Sequence, residues 1–98
     1  MTVDISKEQN RWTVALAGRL DTITAPQLEA ALDRLDPQVR EIVFDLSQLS
    51  YLSSSGLRVL VTVHKKLSGS GKLIIRQATK PVMDVFDITG FSGILNFE

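Results

Sequence analysis

The chain has 98 residues, room for one domain with one shared core. Hydrophobic residues make up 44% and charged residues 22%, the balance of a globular domain, which excludes disorder and fibrous repeats. Eleven basic residues offset eleven acidic ones, so no electrostatic footprint for nucleic acid or an anionic membrane is present. The absence of cysteine excludes disulfides and thiolate chemistry, and a single histidine excludes a multi-histidine metal centre.

Val3 and Ile5 alternate with polar residues and predict a short strand. Lys7-Glu8-Gln9-Asn10 is a polar turn, and Trp12, Val14 and Leu16 form a second strand ending at Gly18, which makes a hairpin. A helix follows. Thr24 caps it in a T-x-x-Q capping box with Gln27, Pro26 fits the first turn, and Leu28, Ala31, Leu32 and Leu35 share one face. Asp36-Pro37 stops it, with Arg34 on its outer side.

Ile42-Val43-Phe44 with Leu46 is a continuous apolar run, the pattern of a strand covered on both faces. Ser47 to Leu52 reads as a loop, and a second helix starts in Ser53-Ser54-Ser55-Gly56. Leu57, Leu60, Val61, His64 and Leu67 share its inner face, widened by Val59 and Val63, while Arg58, Thr62, Lys65 and Lys66 face water. Leu73-Ile74-Ile75 is another buried strand. Pro81 opens a third helix with Val82, Met83, Val85 and Phe86 inward and Gly90 as its stop, and Ile94, Leu95 and Phe97 close the chain as a short strand. The order β-β-α-β-α-β-α-β predicts an α/β fold: a mixed sheet with parallel strands in the middle, the hairpin strand at an edge and helices packed against it.

Three motifs invite catalytic readings. Gly69-Ser70-Gly71-Lys72 is not a phosphate loop, because Lys66 and Leu73 stand where the pattern needs glycine and Ser/Thr, and the segment follows a helix and precedes a strand. Ser54 and Ser55 lack the G-x-S-x-G elbow of a hydrolase. The lone His64 lies nine residues beyond Ser55 on the same helix, about 13 Å along its axis, out of reach as a base. No acid/base pair, cofactor loop or metal site is assembled, and the chain reads as a non-enzyme with no cofactor.

Arg58, Lys65 and Lys66 form a solvated face or a partner-docking surface. Asp21 reads most simply as a turn residue before the first helix. One N-cap needs one serine, and three consecutive hydroxyls stand at that helix start. A helix N-terminus stabilises an anion, and phosphorylation adds about −1.5 to −2 charge, so a modified serine here changes what binds without unfolding the domain.

The segment Asp45-Leu46-Ser47-Gln48-Leu49-Ser50-Tyr51-Leu52-Ser53-Ser54-Ser55-Gly56-Leu57 resembles the signature of the STAS domain, in particular the small bacterial anti-sigma factor antagonists. Gly18-Arg19-Leu20-Asp21 with Thr24-Ala25-Pro26 resembles the family's segment before the first helix, and Val85 to Phe91 resembles its closing helix and glycine. The resemblance implies a cytoplasmic partner-switching regulator of sigma-factor-dependent transcription. Unphosphorylated, it would bind an anti-sigma factor with serine kinase activity. It would be released on phosphorylation and restored by a metal-dependent serine phosphatase.

By that resemblance Ser55 is the phosphoacceptor, with Asp21, Ser53, Ser54, Gly56 and Arg58 on the surrounding partner surface. The family's usual aspartate falls on Ser53, which keeps a capping oxygen, removes a carboxylate and adds a further candidate acceptor. The chain is expected to be a monomer when free, without a signal sequence, a membrane span or a nucleic-acid partner. The alternative is a constitutive accessory subunit of a stressosome-like or lipid-transport complex.

Overall fold

The computed structural model describes residues 1–33 and 39–98. The predicted contributions of Arg34, Leu35 and Asp36-Pro37 lie outside these residues. Chain order is β1 (Thr2–Glu8), β2 (Arg11–Leu20), α1 (Ala25–Leu32), β3 (Glu41–Leu52), α2 (Ser54–Leu67), β4 (Lys72–Arg76), α3 (Lys80–Thr89), a short 3-10 turn at Phe91–Gly93, and β5 (Asn96–Phe97). The five strands lie side by side in that same order. β1 pairs antiparallel with β2, while β2–β3, β3–β4 and β4–β5 are parallel, each pair joined through one helix. This is the predicted mixed α/β sheet with the hairpin strand at an edge.

The pleat sets the core. Trp12, Val14 and Leu16 of β2, Ile42 and Phe44 of β3, and Leu73 and Ile75 of β4 point the same way and are buried in one cluster. Leu28 and Leu32 of α1, Leu60 and Val63 of α2, and Val82 and Phe86 of α3 fill the cluster from the helical side. Each fully buried Leu, Ile or Phe contributes about 1.5–3 kcal/mol of hydrophobic stabilisation. Phe86 meets Phe97 edge to face, with ring centroids 5.2 Å apart, and so ties α3 to the last strand. Val43 and Ile74 point to the opposite face and are buried there too, as the continuous apolar runs require. On α2 the buried set is Gly56, Leu57, Val59, Leu60, Val63 and Leu67, while Val61 and His64 at its margin are only half-buried.

The hairpin turn is tighter than the sequence indicates. Lys7 and Glu8 still pair with Trp12 and Arg11, leaving Gln9 and Asn10 as the turn, with Gln9 at φ 50°. The Lys7 ammonium lies 4.5 Å over the Trp12 ring, which favours keeping the strands together there.

Two further boundaries are corrections. Ser47 to Leu52 is strand, and β2 continues past Gly18 to Leu20. The register shows why. From Ala15↔Asp45 to Ala17↔Gln48, β2 advances two residues and β3 three; from Gly18↔Leu49 to Arg19↔Tyr51, β2 advances one and β3 two. Each extra residue is a bulge that flips the inside–outside phase of β3. Leu46, Leu49 and Leu52 are therefore all buried at a spacing of three, which breaks the strand period and mimics a loop.

The capping box at Thr24 and Gln27 does not form. Thr24 has helical dihedrals, and its Oγ1 donates to the Arg19 carbonyl at 2.8 Å and accepts from the Asp21 amide at 2.9 Å. Gln27 Nε2 donates to the Met1 carbonyl instead. Pro81 does sit in the first turn of α3, and Gly90 closes that helix in the left-handed conformation. Of the residues expected in the final strand only Phe97 is in it: Ile94, which is exposed, and Leu95, which is buried, both precede it. Gly71 in the α2–β4 turn lies against Arg40, where a Cβ would meet the Arg40 carbonyl oxygen; the glycine-rich segment is a packed turn.

Candidate functional site

Because β2 and β3 are parallel neighbours, their C-terminal ends reach the same edge of the sheet, and the segments leading into α1 and α2 meet there. The Ser53 amide donates to the Leu20 carbonyl at 2.9 Å, extending the ladder past both strands. Gly56 holds the contact tight. A Cβ at that position would lie 2.9 Å from the Leu20 carbonyl oxygen and 3.0 Å from Leu52 Cδ1. Only glycine lets the first turn of α2 press onto the ends of β2 and β3.

The three serines divide their work. Ser53 is the N-cap, with extended dihedrals, and its Oγ accepts from the Gly56 amide at 3.2 Å. Ser54, in the first turn, is exposed. Ser55, in the same turn, is half-buried, and its hydroxyl lies 3.2 Å from the Thr22 hydroxyl in a solvent-facing contact. Its oxygen is therefore accessible from outside. Arg58 follows one turn later and is exposed; Thr22, Ser55, Arg58 and Glu29 border a shallow groove between α1 and α2.

Asp21 shapes the neighbouring turn. Its Oδ1 accepts from the Thr24 amide at 3.1 Å, the Ile23 amide at 3.0 Å and the Thr24 hydroxyl at 3.2 Å. Arg19 lies 3.6 Å from its other oxygen. The Thr24 amide is the largest influence and lowers the Asp21 carboxyl below its ordinary value; desolvation, next in size, opposes it, and the Ile23 amide, the Thr24 hydroxyl and the Arg19 charge add to the lowering. Asp21 thus stabilises the turn that presents Thr22 beside Ser55 and leaves the next residue, Ile23, 86% exposed.

The structure brings Ser53, Ser54, Ser55, Gly56 and Arg58 onto one helix start and sets Asp21 in the adjacent turn. Sequence reading missed Thr22 and Ile23. The signal for Thr22 is the parallel pairing itself, which aligns a hydroxyl in the β2–α1 turn with those preceding α2. For Ile23 it is a large apolar residue in an otherwise polar turn. His64 lies well along α2, with a buried Nδ1 that has no hydrogen-bond partner among the described residues. Among the described residues no group of His, Asp or Glu is arranged to hold a metal ion, and no helix is long and apolar enough to cross a membrane.

A model of the STAS domain matches residues 3–98. The chain belongs to the STAS domain family. It is 36% identical over 96 residues to BtrV of Bordetella bronchiseptica, an alignment covering 96% of this chain and 83% of that one. It is 31% identical over 99 residues to the anti-sigma-B factor antagonist of Bacillus subtilis, covering 100% and 91%. Among solved structures, an anti-sigma factor antagonist from Mycobacterium paratuberculosis superposes with a TM-score of 0.88 at 24% identity, covering 98% of this chain and 83% of that one. SpoIIAA in its unphosphorylated form superposes at 0.86 and 20% identity, covering 99% and 88%. SpoIIAA in its phosphorylated form superposes at 0.77 and 19% identity, covering 99% and 91%. These likenesses establish the STAS fold over the whole sheet and all three helices.

Proposed function

We propose that this STAS protein is an anti-sigma factor antagonist, a non-enzymatic partner switch controlled by phosphorylation of Ser55. Unmodified, it binds an anti-sigma factor that is also a serine kinase and so frees a sigma factor. In the modifying step the Ser55 oxygen attacks the γ-phosphorus of ATP. The Oγ–P bond forms, the bond to the β-phosphate oxygen breaks, ADP leaves, and the hydroxyl proton passes to a base of the kinase. A metal-dependent serine phosphatase reverses the modification with water. The setting is the bacterial cytoplasm.

The observation that carries this reading is the division of labour among the serines. Ser53 caps α2, so the Ser55 hydroxyl stands outside the capping bond, open to solvent, at the positive end of the helix. The identity to antagonists across the whole chain supports the same role. A phosphate on Ser55 is tolerated by the fold, because its charge complements the helix end. A partner pressed against Thr22, Ile23 and Arg58 meets a new dianion and its desolvation cost.

The test is a peptide mass spectrum of the protein taken from its own cells. Trypsin releases residues 41–58 as one peptide holding all three serines. One phosphate on Ser55, absent in Ser55→Ala, is the expected result. A phosphate retained on Ser53 or Ser54 in that variant would overturn the assignment.

A further inference from the structure

The groove beside Ser55 carries features that accepting a phosphate does not itself require. Thr22 reaches across from the β2–α1 turn and places its hydroxyl 3.2 Å from that of Ser55. Arg58 lies three residues beyond Ser55 on α2, a spacing that stacks two side chains on one helix face with their Cβ atoms about 5–6 Å apart. Both border the groove that Ser55 borders. Four other arginines, Arg11, Arg19, Arg40 and Arg76, have partners, whereas the Arg58 guanidinium has no ion pair or hydrogen bond among the described residues. Nearby carboxylates do not occupy it: Asp21 is bound to its own turn, and Glu29, on the far wall of the groove, forms no ion pair with it.

We propose that Thr22 and Arg58 form a built-in clamp for a phosphate on Ser55, holding the modified state against hydrolysis. The inference rests on Ser55 being the modified residue. Once the phosphate is in place, the Thr22 hydroxyl donates to one of its oxygens and the Arg58 guanidinium pairs with others, a charge-assisted contact suited to the planar fork of arginine. Removal of the phosphate requires water to attack phosphorus opposite the serine oxygen; the Oγ–P bond breaks, inorganic phosphate leaves, and the serine oxygen takes a proton. Clamping shields phosphorus from that in-line approach and ties down oxygens that a phosphatase metal has to reach. Glu29 repels the phosphate and so favours its lying against Arg58. Thr22 and Arg58 are positioning residues: they set the lifetime of the phosphorylated state and carry out no chemistry.

The test installs phosphoserine at position 55 during translation, which removes any dependence on the kinase. Wild type, Thr22→Val, Arg58→Gln and Arg58→Lys are compared by phosphorus NMR titration and by hydrolysis with a broad-specificity metal-dependent serine phosphatase. Circular dichroism confirms that each is folded. The clamp predicts a second phosphate dissociation constant about two- to fivefold larger in wild type than in Arg58→Gln, the range of an exposed ion pair, with hydrolysis slower by a similar factor. Thr22→Val should lose part of both effects, and Arg58→Lys should recover part of the titration shift. Identical titration curves in wild type and Arg58→Gln would overturn the proposal, and so would a titration shift without slower hydrolysis. If Ser55 carries no phosphate in cells, the function proposed above fails while these measurements still report on the clamp.

Discussion

Replacing Gly56 by alanine tests how tightly α2 is seated on the sheet. The new Cβ would stand 2.5 Å from Leu20 Cγ, 2.9 Å from the Leu20 carbonyl oxygen and 3.0 Å from Leu52 Cδ1. The leucine side chains can yield in part, but the carbonyl cannot move freely, because it accepts the Ser53 amide at 2.9 Å. Relief therefore comes from lifting the first turn of α2. Overpacking of this kind costs about 1–3 kcal/mol. Alanine recovers up to about 1 kcal/mol through its better helix propensity. With the middle of each range, about 2 kcal/mol lost and about 0.5 recovered, the net expectation is a loss of about 1.5 kcal/mol, or a fall in Tm of roughly 6–12 °C for a domain of this size. The control is Gly93→Ala, where a Cβ meets nothing within 4 Å. Thermal unfolding followed by circular dichroism compares the two. Equal Tm values for Gly56→Ala and Gly93→Ala would refute the argument that close approach at Leu20 fixes the helix start.

Three further expectations are open to measurement. Ser53→Ala should lose about 0.5–2 kcal/mol of stability through the missing cap, read from the urea midpoint, whereas Ser53→Asp should stay near wild type because aspartate caps equally well. The Asp21 carboxyl is held below its ordinary value of 3.8, so its stabilising effect is fully present above that pH and is lost as pH falls through the lower folded-state value. The Tm advantage of wild type over Asp21→Asn should accordingly be constant above about pH 5 and shrink on acidification, and a pH-independent gap would contradict the hydrogen-bonding account of the turn. Phe86→Ala, which empties a fully buried site against Phe97, should cost about 3–5 kcal/mol by urea unfolding; a loss under about 1.5 kcal/mol would mean that α3 contributes little to the core.

Most of the architecture is legible in the chain because local pattern and global fold agree there. The periodic faces of α1, α2 and α3, the continuous apolar runs at Ile42–Phe44 and Leu73–Ile75, and the turn glycines each carry one meaning. The misread stretches are those where a non-local pairing overrides the local signal. Leu46, Leu49 and Leu52 look aperiodic because two bulges, visible only against β2, shift the phase of β3 twice. Thr24 looks like a cap, but its hydroxyl is taken by Arg19 and Asp21, whose backbones are placed by the end of β2. At the candidate site, the serine cluster and Asp21 are recognisable as motifs, and the role of Ser53 as cap follows from its position. The Thr22–Ser55 contact spans thirty-three positions and depends on which strands lie side by side, so no local pattern encodes it.

The strands lie across the sheet in the order in which they are made. Every strand finds its partner in the segment just synthesised, and no insertion between existing strands is needed. Each closure spans little more than one helix, which keeps its entropic cost low. A nascent chain emerging from the ribosome can therefore dock each new strand on the last and cover it with the intervening helix. The edge that grows is always the most recent strand, and in the finished molecule it is the two residues of β5, too short to template another chain, while the opposite edge is the hairpin strand β1 from the outset.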